Sequence, residues 1–536
     1  MPDRPARLGK PMRPSVLLQK AADFYRQRPG LALFLLFMAT SLASRGFLLG
    51  ADILDVDEAM HIVGSWELLR GKHLYVGFVD NKPPLLYLYY AFAQLLLGRG
   101  MFAIHLFSVV ITIPLTALGV SAFFAHDRRG ALAGMAFLVF GASYLAHDMH
   151  SVNCEMLLLL PATWSVAVLG DEARARKLAW LFCSGGLLGI AMLFKQQAFA
   201  WFPALGLAAV LANRQARPRS LLALAALVAG LVLPLVATWG IFVALGDGQA
   251  FLYWTVLHNY AYAQQPMEWG EIFQRIAKYF LPFLAATVGL WVLALRSRSR
   301  LSRYQWLFIA SVLVCTFPIV FVGFRFYPHY FVPLYTPLAL GAGPVLAVLW
   351  TLPASRWAKL TLAYALSSWF CFSVANGILY LSGHEFPWEE YNPVYHQVAE
   401  ILHADACHEG ASMFSWGPGA MFVYPADLPL ASRFVGPSST ICGNVPGNWA
   451  IRSGRVKASD AIRPEHWDQL MDDLERSHAT YIIDGSHTFR NWKAFPVENF
   501  PRMMDYLQAH YDVVSTVGTV RIFRRRGCES GGATKQ

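Results

Sequence analysis

Three carboxylates fall within four residues in the segment Asp55-Val56-Asp57-Glu58. Carboxylates this close repel one another and burial raises their pKa values, so they need a metal ion, a cation or a hydroxyl proton nearby. A carboxylate within reach of a hydroxyl can act as a general base. The alternative is an acidic first turn that stabilises a helix beginning near Ala59. A divalent metal therefore stays open as a partner of these acids, and no other cofactor is indicated.

Isolated cations form a second group. Lys82 lies in Asn81-Lys82-Pro83-Pro84-Leu85, where the prolines fix the entry of an apolar segment and leave the ammonium at the depth of lipid headgroups. Lys195, Arg325 and His329 occur at the ends of other apolar segments. Ionisable groups at such positions are functional candidates by default, and interfacial snorkelling is the alternative. Phosphate is the ligand that such cations would hold.

A second polar segment runs from 147 to 155 and contains His147, Asp148, Asn153 and Glu155. Histidines with acids close by can bind a metal, although most such pairs are ordinary polar loop residues. Both interpretations remain open from the residues alone.

The elements that position these groups are membrane spans. Of 536 residues, 56% are hydrophobic and 15% are charged, against about 25% charged in a soluble domain. This composition predicts a polytopic α-helical membrane protein, because a span needs about 17 to 25 apolar residues. Eleven segments qualify: 31–50, 101–124, 131–147, 155–170, 178–194, 198–212, 220–245, 272–295, 304–323, 330–350 and 358–381.

Charge predicts the orientation of these spans. Six basic loops, with the N-terminus among them, fall on one side, which the positive-inside rule assigns to the cytoplasm. The excess charge of +10 is thus an orientation signal and requires no nucleic acid. The acids and isolated cations then lie on the outer side. We interpret the short apolar stretch 83–97 as an interfacial helix within an outer loop, 51–100, that carries the acidic motif.

The tail differs in composition. We divide the chain into a transmembrane domain, 1–383, and a C-terminal extracytoplasmic α/β domain, 384–536. In this domain short apolar runs alternate with helical segments at 394–403 and 465–477, and the alternation of apolar and polar residues at 519–524 predicts a terminal strand. Cys407 and Cys442 both lie in this domain, so we hypothesise a disulfide between them that leaves Cys528 unpaired.

The motifs of 55–58 and 81–85 together resemble the GT-C glycosyltransferases, in particular the protein mannosyltransferases of family 39 and the lipid A aminoarabinose transferases of family 83. The resemblance is specific over 50–100, and the pattern of spans extends it to about 381. It implies that Asp57 is the catalytic acid-base residue, with Glu58 and Asp55 beside it, and that Lys82 binds the carrier phosphate. Asn153 and Glu155 match the second motif of such enzymes more weakly.

The predicted function is therefore transfer of a sugar from a polyprenyl-phosphate carrier to a glycan, lipid or protein acceptor on the outer face of the inner (plasma) membrane. Membrane lipids are expected partners. Two alternatives remain: a transporter or flippase for a lipid-linked glycan, and an O-antigen ligase or polymerase type of transferase. A transporter usually has two related halves, and no such repeat is evident. The donor sugar, the acceptor and the oligomeric state are not predicted.

Overall fold

The computed structural model describes residues 16–141, 150–215, 217–263, 267–350, 392–437, 457, 463–488, 492–493 and 495–528. The helices up to residue 350 are α1 Val16–Gln27, α2 Pro29–Arg45, α3 Val56–Leu69, α4 Leu85–Leu97, α5 Met101–Phe107, α6 Ile113–Ala122, α7 Arg128–Gly141, α8 Cys154–Ala167, α9 Glu172–Ala175, α10 Leu178–Met192, α11 Phe202–Asn213, α12 Arg217–Ala244, α13 Gly248–Leu252, α14 His258–Ala263, α15 Trp269–Arg275, α16 Leu281–Leu295, α17 Arg303–Thr316 and α18 Tyr335–Leu349. The tail contains helices α19 Asn392–Ala404, α20 Gly419–Ala426, α21 Pro464–Ser477 and α22 Pro501–His510, and strands β1 Met413–Trp416, β2 Tyr481–Asp484, β3 Tyr511–Val517 and β4 Val520–Arg525.

Within these ranges, six helical stretches are long and apolar enough to cross a membrane: Pro29–Gly50, Met101–Ala122, Arg217–Ala244, Trp269–Arg300, Arg303–Phe324 and Pro328–Leu349. Three apolar helices are shorter, and they are α4, α8 and α10. Helix α4 coincides with the predicted interfacial helix. The predicted span 358–381 and the end of 131–147 lie outside the described residues. A multi-pass helical membrane protein is thus confirmed, and the number eleven stays a prediction.

Glycines allow helices α10 and α12 to approach each other closely. A Cβ atom on Gly185 of α10 would collide with the carbonyl oxygen of Leu227, and one on Gly230 of α12 would collide with that of Phe182. Small residues let two apolar helices approach until their backbones touch. The van der Waals contacts of this close packing stabilise the helix pair, because within lipid there is no hydrophobic driving force for association.

The tail is built on a four-stranded sheet in the order β1-β2-β4-β3. Strands β1 and β2 are parallel, and the other two pairs are antiparallel. Every residue of β1 and β2 is buried, which explains their apolar composition. The predicted helical segments 394–403 and 465–477 are confirmed as α19 and α21, and the predicted terminal strand is confirmed as β4. The boundary at 383 falls in a range outside the described residues.

The tail and the outer loop 51–100 share one hydrophobic core. Trp66 of α3 stacks on Tyr424 of α20 with ring centroids 5.4 Å apart. The backbone N–H of Val79 donates to the carbonyl of Arg433 at 3.0 Å. The tail therefore packs against the loop that carries the acidic motif and stabilises it.

The disulfide hypothesis is wrong in its pairing. Cys407 is bonded to Cys528, across 121 residues of sequence. Both cysteines lie close to the end of the sheet where Arg524 of β4 pairs with Asp405, at 2.8 Å. Sequence spacing alone could not choose between two candidate partners, because the pairing depends on where the last strand ends.

Candidate functional site

The acidic motif opens helix α3. Asp55 is the N-cap residue in extended conformation, and Asp57 and Glu58 lie in the first turn, where carboxylates are favoured by the helix dipole. The acidic first turn is therefore confirmed, and a role of these acids in catalysis stays a prediction. The helix start presents the two acids differently. The side chain of Asp57 is 37% exposed, whereas Glu58 is 0% exposed.

Glu58 points into the protein and joins three segments. Its carboxylate accepts hydrogen bonds from the backbone N–H of Val152 at 2.7 Å and of Leu54 at 3.2 Å. It also contacts His105 Nε2 at 3.0 Å, and Nδ1 of the same ring faces the carbonyl of Leu48 at 2.8 Å. Because a carbonyl can only accept, Nδ1 carries a hydrogen, and Glu58 and Nε2 share one further proton. These contacts fix the start of α3, and a catalytic role for Glu58 stays a prediction.

The first and second polar motifs meet at Asp55. Asn153, the N-cap residue of α8, donates from its amide Nδ2 to Asp55 Oδ2 at 3.1 Å and to Ser151 Oγ at 2.7 Å. The predicted residues His147 and Asp148 lie outside the described residues. Asn153 therefore links the starts of two helices.

Lys82 reaches the exposed acid of the motif. Its Nζ atom lies 3.7 Å from Asp57 Oδ2. Two side chains fix the lysine backbone: the Tyr75 hydroxyl donates to the carbonyl of Lys82 at 2.9 Å, and Asn259 Nδ2 donates to that of Asn81 at 2.7 Å. Sequence reasoning missed both roles. Asn259 lies 178 residues from its partner in the sequence, and nothing in the local pattern indicates that Tyr75 bonds to Lys82, seven residues further on.

A second ion cluster contains three of the predicted residues. Lys195 Nζ pairs with Glu155 Oε1, and His329 Nε2 lies 3.7 Å from the same oxygen. The ammonium of Lys195 also lies 4.8 Å from the centroid of the Tyr330 ring. Glu155 thus neutralises the ammonium of Lys195 and lies close to the His329 ring, which lowers the cost of placing the lysine at the end of an apolar segment.

Arg325 is the remaining predicted cation. It is 1% exposed, and its carbonyl accepts a hydrogen bond from Arg275 Nη1 at 3.0 Å. This bond fixes the loop that leads to His329. A role of Arg325 toward the carrier stays a prediction.

The two clusters act on Asp57 electrostatically. Burial works to raise the pKa of Asp57, but nearby positive charge outweighs it and holds this pKa well below its usual range. Lys82 is the largest of these positive neighbours, and His329 and Lys195 of the second cluster also contribute. Asp57 is consequently ionised throughout the physiological pH range, as a proton acceptor must be.

His61 is a further member of the site that sequence reasoning did not assign. It lies one turn after Asp57 on α3, 1% exposed, with its ring edge-on to Tyr90 at 5.5 Å. Burial lowers its pKa to about 3, so the imidazole is neutral at physiological pH. The spacing of four residues from Asp57 is the signal that could have found it, because i and i+4 share a helix face.

Aromatic residues of the loop after α12 bind the tail. Trp254 stacks on His466 of α21 with ring centroids 5.0 Å apart, and the Tyr253 hydroxyl lies 3.0 Å from His466 Nε2. Tyr253 and Trp254 therefore pack against the tail, whereas aromatic residues of a membrane protein are usually expected in the belt at the membrane–water interface.

A three-ligand metal grouping occurs elsewhere in the described ranges. Asp484, His487 and Glu498 in the tail place ligand atoms within 4.8 Å of one another. Arg521 already pairs with Asp484 and Glu498, so a cation would have to displace it. Whether a metal ion acts at the acidic motif stays an open prediction.

Comparison with known proteins indicates which class of protein this chain is similar to. Residues 81–242 match the family model described as dolichyl-phosphate-mannose-protein mannosyltransferase. The matched range contains Lys82, Asn153, Glu155 and Lys195, and it begins after Asp57. Together with the solved structures below, this match confirms the resemblance to the GT-C superfamily and supports a membrane glycosyltransferase of that type.

Two solved structures share the fold. ArnT from Cupriavidus metallidurans bound to undecaprenyl phosphate superposes with a TM-score of 0.53 at 15% identity, over 93% of this chain and 98% of that one. ArnT from the same organism in the apo state gives 0.52 at 16% identity, over 94% and 98%. A search of curated protein sequences finds no match.

Proposed function

We propose that this protein transfers a sugar from a polyprenyl-phosphate carrier to an acceptor on the outer face of the inner membrane. The observation that carries the proposal is the placement of Lys82 Nζ 3.7 Å from the partly exposed carboxylate of Asp57. A proton acceptor and a phosphate-binding cation thus lie side by side at the start of an outer loop. The GT-C fold and the mannosyltransferase family match support the same reaction class.

The reaction forms a bond between an acceptor oxygen and the anomeric carbon. The bond from that carbon to the carrier phosphate breaks, and the phosphate leaves with the electron pair. When the acceptor is a hydroxyl, Asp57 takes its proton. The negative charge that grows on the leaving phosphate is stabilised by Lys82, with Lys195 and His329 of the second cluster as further cations.

Donor binding would activate the base. In the free protein, Lys82 is the largest favourable charge on Asp57. A carrier phosphate that takes over this ammonium removes part of that stabilisation, so the pKa of Asp57 rises and the carboxylate becomes a stronger base. The carboxylate therefore gains basicity when the donor is in place.

The remaining acids of the motif hold Asp57 in position. Glu58 fixes the helix start from the buried side, and Asp55 fixes it through Asn153. No step is assigned to a metal ion. The acceptor in this reaction can be a hydroxyl or phosphate group on a lipid, a glycan or a protein.

The test is the accumulation of donor in cells. We expect deletion of the gene to raise one polyprenyl-phosphate-linked sugar and to remove the same sugar from an envelope component, both measured by mass spectrometry. The wild-type gene and the control variant Lys278→Met, which removes an exposed cation, should restore both levels, whereas Lys82→Met should not. Unchanged lipid-linked sugars and envelope glycans in the deletion strain would rule out the proposed reaction.

A further inference from the structure

Tyr87 is a buried polar side chain in the first turn of helix α4, and no step of the proposed reaction uses it. The residue is fully buried, and its hydroxyl donates to Asp80 Oδ2 at 2.5 Å. The other oxygen of that carboxylate, Oδ1, accepts the backbone N–H of Asn81 at 2.6 Å. Asn81 directly precedes Lys82, so one carboxylate joins α4 to the turn that presents the lysine.

The ring of the same tyrosine packs on the helix that carries the acids. A Cβ atom on Gly64 of α3 would lie 2.6 Å from a ring carbon of Tyr87, so the ring occupies the space that a side chain there would fill. Gly64 follows Asp57 by seven residues, which places both on one face of α3. His61 lies between them on this face, and its ring is edge-on to Tyr87 with centroids 6.3 Å apart.

Tyr87 thus connects the two halves of the proposed site. Its ring contacts the helix that holds the base, and its hydroxyl holds the turn that presents the cation. The distance of 3.7 Å from Lys82 Nζ to Asp57 Oδ2 depends on the relative position of these two elements. A hydrogen bond to a carboxylate is stronger than one between neutral groups, so this bond restrains the turn.

A purely structural role is the alternative, because a buried tyrosine hydroxyl usually has a hydrogen-bond partner wherever it lies. Tyr89, two residues further along α4, is an example. Its hydroxyl lies 2.8 Å from Thr112 Oγ1, which joins α4 to the apolar stretch Met101–Ala122. Tyr87 differs from it because its partner, Asp80, also holds the backbone next to Lys82.

We propose that Tyr87 is a positioning residue for the transfer reaction. Through Asp80 it holds the ammonium of Lys82 at the distance from the base at which the cation binds the carrier phosphate. This role rests on the proposed function and deepens it, because it assigns the geometry of the donor site to a residue that touches neither the substrate nor the reacting atoms. Tyr87 then affects transfer only through Lys82.

Tyr87→Phe tests this role, because it removes the hydroxyl and keeps the ring. Transfer is measured with full-length protein in nanodiscs and the purified carrier-linked sugar that accumulates in the deletion strain. We expect the KM for the donor to rise about 10-fold, since a hydrogen bond to a charged group is lost. The acid limb of kcat/KM should move to higher pH, since the ammonium is held less firmly beside Asp57. A loss of stability alone would lower the amount of active protein without moving either quantity.

A double variant separates positioning from direct binding. In Lys82→Met the group that Tyr87 positions is absent, so the addition of Tyr87→Phe should lower kcat/KM by less than about 2-fold further. Tyr89→Phe is the matched control, because it removes a hydroxyl from the same helix, and it should keep the donor KM and the acid limb of wild type. The same loss on both backgrounds, or equal shifts in Tyr87→Phe and Tyr89→Phe, would overturn this role.

Gly64→Ala provides a second test if Tyr87→Phe does not fold. It keeps every hydrogen-bonding group, but its Cβ displaces the Tyr87 ring from α3, so the donor KM and the acid limb should move in the same directions. Gly46→Ala is its matched control, because no atom of the described residues lies within 4 Å of a Cβ there. If wild type transfers sugar, unchanged kinetics in Tyr87→Phe and Gly64→Ala overturn this role alone. A wild type without transfer overturns the proposed function as well.

Discussion

The amide of Asn153 donates to the carboxylate of Asp55 at 3.1 Å, across 98 residues of sequence. Each of the two residues is the N-cap of a helix, Asp55 of α3 and Asn153 of α8. The bond therefore fixes the start of the helix that carries Asp57 against the start of the helix that carries Glu155. Asn153 of the second polar motif therefore contacts the first motif directly, and a role in positioning it is our prediction.

Replacing Asn153 with Asp should disrupt this arrangement. The new carboxylate cannot donate and repels Asp55, so we expect a loss of about 1 to 3 kcal/mol in the free energy of unfolding and a lower transfer rate. Thermal unfolding and the rate of sugar transfer measure the two effects. The double variant Asp55→Asn with Asn153→Asp exchanges the amide and the carboxylate between the two positions. It should recover part of the stability and part of the transfer rate. A single variant with wild-type stability and rate would contradict this role.

Removing the charge of Lys82 should change the pH dependence of activity. The pKa of Asp57 is depressed in the folded protein, chiefly because Lys82 outweighs the effect of burial. In Lys82→Met this pKa rises, so the acid limb of kcat/KM for residual transfer should move to higher pH. Because this pKa is depressed in the folded protein, the ionised Asp57 stabilises the fold at pH values above the usual carboxyl pKa. That stabilisation is lost as the pH falls through the pKa of Asp57 in the folded protein. An acid limb that stays in place, or moves to lower pH, would contradict the pairing.

Replacing Glu58 should lower the stability of the fold more than it lowers the rate of the chemical step. Its carboxylate receives two backbone N–H groups and contacts His105. Glu58→Gln keeps the volume but turns an amide NH2 toward these groups, leaving a buried donor unpaired at a cost of about 1 to 3 kcal/mol. Unfolding midpoints in detergent measure this loss. If Glu58→Gln is as stable as wild type and yet inactive, Glu58 is a catalytic residue rather than a positioning one.

The contact between the tail and the membrane domain should depend on pH through His396. Its Nε2 lies 2.6 Å from Asp52 Oδ2, and this hydrogen bond raises the pKa of His396. The stabilisation is fully present below the ordinary histidine pKa and is lost as pH rises through the raised value. The difference in unfolding temperature between wild type and His396→Gln should therefore shrink with rising pH. The control His510→Gln, whose ring packs on Tyr506, should not reproduce this trend, and a difference that grows with pH would contradict the assignment.

Much of the site could be predicted from sequence because its chemistry is local. The acids of 55–58 and Lys82 stand out as charges in an apolar chain, and the helix start at Asp55 follows from ordinary capping preferences. The interfacial helix and the strands of the tail follow from the length and period of apolar runs.

Other features depend on contacts between distant segments. Glu58 and Asp57 are adjacent and alike in sequence, yet one is buried and one is partly exposed, because helical geometry turns them about 100° apart. Glu58 thereby contacts His105 and the backbone of Val152, whereas Asp57 faces Lys82. Arg45 ends an apolar stretch as many snorkelling arginines do, and only the packed helices show that it is buried. The partner of Cys407 likewise depended on the end of β4.

The most direct test of the central claim is sugar transfer by Asp57→Asn, using as donor the purified carrier-linked sugar that accumulates in the deletion strain. The amide keeps the shape of the carboxylate but cannot accept a proton, so we predict a rate at least about 100-fold below wild type. Donor binding and the unfolding temperature should stay close to wild type, which separates lost chemistry from lost structure. Transfer by Asp57→Asn at a rate near that of wild type would contradict the assignment of Asp57 as the base.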